Sequence, residues 1–136
     1  MNPEYIRTVF RTDSPPNEWP SRFAVVTACN PNGIQHSSGD NTRFDSQLLV
    51  ALEAERIKHW RVTGTSADFQ HSEPGYAIET NLETALTIGN QFRQEAIFWI
   101  EHGHLSVISC TTREKVLLGA WSSRLIPAGR PHDEGN

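Results

Sequence analysis

Five polar side chains stand at the borders of apolar segments, where distant parts of a chain can meet: Asn30, Asn41, His71, Glu73 and Gln94. His71 and Glu73 are two apart, so on an extended segment both point to one face. A carboxylate beside an imidazole raises its pKa, and such a pair can act as general acid and base. These two are the catalytic candidates, against a competing reading as a solvated loop ahead of a strand. Asn30, Asn41 and Gln94 are the ligand-binding candidates, because their amides both donate and accept. Each also fits a plain role. Asn30 and Pro31 suit a tight turn, Asn41 a helix cap, and Gln94 a hydrogen bond to a loop backbone.

Other reactive residues are weaker. His102 and His104 alternate across an expected hairpin tip, but a stable zinc site takes three or four protein ligands and no third is spaced to join them. An exposed turn fits better, and no metal or cofactor is expected. Cys29 and Cys110 lack the neighbouring cation that lowers a thiol pKa, so core positions suit both, although Cys29 could face a helix start near Asn41. There is no phosphate-binding Gly-rich loop, no nucleophile elbow and no His-Glu-x-x-His pair. No reaction is assigned.

The elements that must position these residues follow from hydrophobic pattern. Tyr5–Arg11 reads as a short edge strand, its charges discouraging stray pairing. Asp13–Pro20 holds three prolines and is a loop, with Trp19 folding back onto the domain. Phe23–Cys29 is almost continuously apolar and reads as a central strand buried on both faces. A helix is expected from about Asn41 to Lys58, capped by Asp40, Asn41 or Thr42, with Phe44, Leu48, Ala51 and Leu52 as its apolar stripe. Strands follow at Trp60–Gly64 and Gly75–Glu79. A second helix opens at a capping box, Thr80–Glu83, and runs to about Arg93. Ala96–Ile100 and Leu105–Ser109 flank a turn and read as a hairpin. The remainder holds one apolar patch around Trp121.

That order predicts an α+β fold. One sheet carries two helices in a β-α-β-β-α-β, ferredoxin-like core, with an N-terminal edge strand and a C-terminal hairpin strand. Residues 1–126 are expected to form a single domain and 127–136 a flexible tail.

Composition excludes several functions. The chain has 136 residues, 12 Lys and Arg against 16 Asp and Glu, and a net charge of −4. Phosphate contacts need clustered basic residues, so a nucleic-acid partner is not expected. No apolar run reaches the roughly 20 residues of a membrane span. Met1–Glu4 shows no basic region leading into an apolar stretch, so no secretory signal is expected. Two cysteines suit a reducing compartment, and a cytoplasmic location is expected.

Several segments, in order, resemble a known family. They are Tyr5–Phe10, Phe23–Pro31, Asn41–Arg43, Glu73–Ile78 and Phe92–Phe98. The strand ending Thr-Ala-x-Asn-Pro and the Gln-x-Ala after the second helix are the most specific. Together they are similar to the domain-of-unknown-function family 3293 of small bacterial proteins, over about Glu4 to Ile108. Two departures are Arg93 where the pattern has glycine, and Pro74-Gly75 after Glu73. The resemblance implies a compact domain and no known activity.

Two functions are therefore expected to compete. One is a pocket near the end of the central strand for a small polar or anionic ligand, the anion favoured by a helix N-terminus beside it. The other is a non-catalytic interaction or homodimerisation module using the edge strand near Ile6–Phe10 or the Trp121 region.

Overall fold

A computed structural model describes residues 3–126. A 3₁₀ turn (Pro3–Arg7) leads into β1 (Val9–Arg11) and β2 (Arg22–Thr27), and a second 3₁₀ turn (Pro31–Gly33) precedes α1 (Ser38–Ala54). β3 (Lys58–Thr65), β4 (Ser72–Glu79) and α2 (Leu82–Gln91) follow, then β5 (Ala96–Glu101), β6 (His104–Ser109) and β7 (Lys115–Ala120). The last elements are α3 (Trp121–Arg124) and β8 (Leu125–Ile126). The expected tail at 127–136 lies outside the described residues. Among them, no helix is long and apolar enough to cross a membrane.

The fold is α+β, built on one mixed sheet in the order β7-β6-β5-β2-β4-β3-β1-β8. Phe23 to Val26 are all buried, which places β2 between β4 and β5 with a packed layer on each face. One layer holds both long helices. Leu48 and Leu52 of α1, with Ala85, Leu86 and Ile88 of α2, pack onto Ala24, Val26, Ile78 and Trp99. The other layer is the sheet's own inner face, where Phe23, Val25, Ile100 and Leu105 meet Phe10 and Trp121. Trp121 lies 5.0 Å from Phe10 and 5.3 Å from Phe23, ring centre to ring centre. Trp19 does fold back, stacking on Phe23 at 5.0 Å.

The inner face is enclosed because the sheet curls. Its outermost strands, β7 and β8, are separated in sequence only by α3. The Arg124 guanidinium fastens the closure. It donates to the Leu118 carbonyl on β7 at 3.1 Å, and to the carbonyls of Ile6 and Thr8 at 2.7 and 3.0 Å.

Several expectations are corrected. The sheet has eight strands and a third, four-residue helix, because Lys115–Ile126 adds β7, α3 and β8. Tyr5–Arg11 is not one strand: its first half is a 3₁₀ turn, and β1 is paired on both sides, antiparallel to β3 and parallel to β8. Phe10 and Trp121 are buried, so neither offers a free apolar surface. Ser37, not Asp40, Asn41 or Thr42, caps α1, its hydroxyl accepting from the Asp40 amide at 3.1 Å. The Thr80–Glu83 box gives way to Asn81, whose side chain accepts from the Thr84 amide at 2.7 Å. α1 ends at Ala54 rather than Lys58. Arg56 turns left-handed there (φ 57°), and the Ile57 amide reaches back to the Leu52 carbonyl.

Candidate functional site

Small side chains leave a hollow on the inner face. Gly75 on β4 lies opposite Thr27 on β2 and Val62 on β3. Gly64 on β3 lies opposite Glu73 and Phe10. With Ala96 at the start of β5, these positions open a cavity of about 670 Å³ where β2 and β3 end and β4 and β5 begin. Val25, Val62 and Phe98 are part of its apolar lining, and Tyr5 from the N-terminal 3₁₀ turn also lines it. Gly75 has a second reason to be glycine: a Cβ there would collide with the Val26 carbonyl oxygen.

Asn30, Asn41, His71, Glu73 and Gln94 all line this one cavity. Asn30, just past β2, is the hub. Its backbone is left-handed (φ 50°), a conformation Asn tolerates better than most residues. Its Oδ1 accepts from Asn41 Nδ2 at 2.9 Å and from the His36 amide at 3.0 Å. Its Nδ2 donates to Glu73 Oε2 at 2.9 Å, and its own amide donates to Asn41 Oδ1 at 2.9 Å. Asn41 is therefore not a cap. It sits in the first turn of α1 and ties that helix to the end of the central strand.

Gln94 has the backbone role, donating from Nε2 to the carbonyls of Cys29 and Phe92, both at 3.1 Å. His71 and Glu73 both line the cavity, yet no hydrogen bond joins them. His71 is exposed, whereas Glu73 is half-buried. Burial raises the Glu73 carboxyl above its ordinary range, opposed in part by the bond from Asn30.

Sequence reasoning missed Tyr5 and Glu95. The Tyr5 hydroxyl donates to Glu95 Oε1 at 3.1 Å across 90 positions, and its ring meets the Phe98 ring edge-on at 6.1 Å. Burial raises the Tyr5 phenol further above its ordinary value, and the Glu95 charge adds to that, so it remains a proton donor. No local pattern links two residues so far apart. Tyr5, Gln94 and Glu95 also border a second hollow of about 730 Å³.

The thiols are buried. Cys29 lines the cavity, and burial raises its pKa despite the Thr27 hydroxyl beside it. Burial pushes Cys110 up to about 11. Neither has the thiolate character of a nucleophile. Among the described residues, no group of three or more His, Cys, Asp or Glu could hold a metal ion.

The family model described as protein of unknown function (DUF3293) matches residues 26–97, more than half of the chain. The chain belongs to the DUF3293 family. The matched span runs from Val26 in β2 to Ile97 in β5 and contains Asn30, Asn41, His71, Glu73 and Gln94. Tyr5 and Phe98 lie outside it. No curated protein and no solved structure matches the chain.

Proposed function

We propose that this DUF3293 protein binds a small polar molecule in the cavity at the C-terminal end of β2. The observation that carries this reading is the convergence of Asn30, Asn41, His71, Glu73 and Gln94 on one space. A volume of about 670 Å³ falls inside the usual span of small-molecule sites. The hydrogen bonds among Asn30, Asn41 and Glu73 hold their side chains in place before a ligand arrives, which lowers the ordering cost of binding.

An acidic lining favours a polar ligand over an anionic one. The lining carries Glu4, Glu73 and Glu95 and no Lys or Arg among the described residues. Binding is favoured over turnover, because His71 and Glu73 do not form an acid–base pair with each other. The order β5-β2-β4-β3, with both long helices on one face, supports reading those elements as a ferredoxin-like unit inside the larger sheet. Two free buried thiols fit a reducing cytoplasm.

A second reading, pairing through a sheet edge, has one observation in its favour. Leu117 is 65% exposed on β7, the outermost strand at one side of the sheet. The edge near Ile6–Phe10 and the Trp121 region do not support it, since β1 is paired on both sides and Trp121 is buried.

Amide-resolved NMR titration with a fragment library separates the two, using Gly64→Val as control. A Cβ at position 64 meets the Thr8 methyl at 3.5 Å and the Phe10 ring at 3.9 Å, ordinary contacts, and the two methyls that valine adds beyond it narrow the cavity. Fragments that shift Asn30, Gly64 and Gly75 in the wild type are expected to lose affinity about tenfold in the variant. Shifts that ignore Gly64→Val, or concentration-dependent shifts centred on β7, count against the pocket.

A further inference from the structure

We infer that the ligand of this cavity is a small organic cation, an amine or guanidine carrying an apolar segment; the inference rests on the ligand-binding reading above. Five polar side chains around the cavity already spend donors inside the protein. Gln94 Nε2 gives both hydrogens to the carbonyls of Cys29 and Phe92. Asn41 Nδ2 donates to Asn30, and Asn30 Nδ2 donates to Glu73. The Thr27 hydroxyl donates to the Pro74 carbonyl at 2.8 Å, and the Tyr5 hydroxyl to Glu95.

Acceptors remain. Glu73 uses only Oε2 and Glu95 only Oε1 in side-chain hydrogen bonds, and Gln94 Oε1 takes none. A ligand meeting those oxygens must arrive with N–H or O–H groups. Charge then selects among donors. With carboxylates and no Lys or Arg in the lining, a cation gains where an anion is repelled and a neutral alcohol gains less. The apolar part has its own place. Val25, Val62 and Phe98 line the same space, and Phe98 and Tyr5 bring to it aromatic rings, side chains that attract an ammonium or guanidinium. The Glu73 carboxyl, held above its ordinary range by burial, is a group that an approaching cation stabilises in its ionised form.

The test is a matched trio of probes of one shape: phenethylamine, 2-phenylethanol and 3-phenylpropionate, titrated at neutral pH while following cavity amides. Phenethylamine is expected to bind about tenfold tighter than either companion. Glu73→Gln keeps an oxygen for the Asn30 amide and removes the charge. It is expected to weaken phenethylamine several-fold more than 2-phenylethanol, and Glu95→Gln serves the same comparison should the first variant fold poorly. Equal binding of all three, still weakened about tenfold by Gly64→Val, overturns the cation assignment and leaves the pocket standing. No cavity shift from any probe up to about 20 mM overturns both, because fragments of this size should reach millimolar affinity in a formed site.

Discussion

Replacing Asn30 should separate two contributions that this residue makes at once. Its side chain takes part in three hydrogen bonds, with Asn41, Glu73 and the His36 amide, at 2.9 to 3.0 Å. Each is worth about 0.5–1.5 kcal/mol net. The half-buried setting puts the sum toward the low end, about 2 kcal/mol. Its backbone stands at φ 50°, which adds about 1 kcal/mol for a residue with an ordinary Cβ. Asn30→Gly loses the bonds but, like Asn, tolerates this backbone, so it should cost about 2 kcal/mol. Asn30→Ala loses the bonds and adds the strain, so it should cost about 3 kcal/mol. Urea unfolding followed by circular dichroism gives both numbers. A double-mutant cycle with Asn41→Ala should show a coupling of only about 1 kcal/mol. Just one of the two Asn30–Asn41 bonds joins side chain to side chain, and the other uses the Asn30 backbone amide, which survives the substitution. Asn30→Gly within about 0.5 kcal/mol of wild type would refute the hub. Equal costs for Gly and Ala would refute the left-handed backbone.

Three further outcomes are expected. Arg93 ends α2 at φ 58°, and its hydrogen bonds to Asn90 and Asn32 are backbone ones, so Arg93→Gly should keep them and stabilise by about 0.5–1 kcal/mol, seen as a rise of a few degrees in Tm. Gly75→Ala drives a Cβ into the β2 backbone and should cost more than about 3 kcal/mol, read as loss of the cooperative unfolding transition or of soluble protein; a well-folded variant would mean that β2 and β4 are not this close. The Glu73 carboxyl is raised by burial in the folded state. Its contribution to stability is therefore fully present below the unfolded carboxyl range, about pH 4, and is lost as pH rises through the folded value. Glu73→Gln should be more stable than wild type at neutral pH, with the gap closing toward pH 4, and a gap that widens on acidification would show that the carboxyl is lowered instead.

The central strands were legible because their chemistry is local. Phe23–Val26 is apolar without interruption, and such a run has few homes other than a doubly covered strand. The hairpin tip was legible too. His102 and Gly103 both take positive φ, as a two-residue turn between Glu101 and His104 requires, and Gly103 announces it. Helix ends were not. Arg56 and Arg93 adopt the left-handed conformation that glycine usually supplies, so the stop signal was missing from the sequence although the geometry was present. β7 escaped for a different reason. Leu117 points outward and is exposed between the half-buried Val116 and Leu118, which erases the alternation that marks a strand with one wet face.

The polar residues of the site could be chosen from their place at element borders, but the space between them could not, because a cavity is made by side chains that are absent. Gly64, Gly75 and Ala96 mean nothing until the register sets Gly75 against Thr27 and Gly64 against Glu73 and Phe10. Register is also what gives Glu73 its role. A slip of one residue between β2 and β4 would turn Glu73 and Gly75 together onto the helix-covered face, burying a carboxylate among Val26 and Ile78 and removing it from Asn30. The close approach of Gly75 to the Val26 carbonyl, which no other residue type permits, holds that register. A glycine that lines the cavity is therefore also the residue that aims its carboxylate, and the loss of one should be inseparable from the loss of the other.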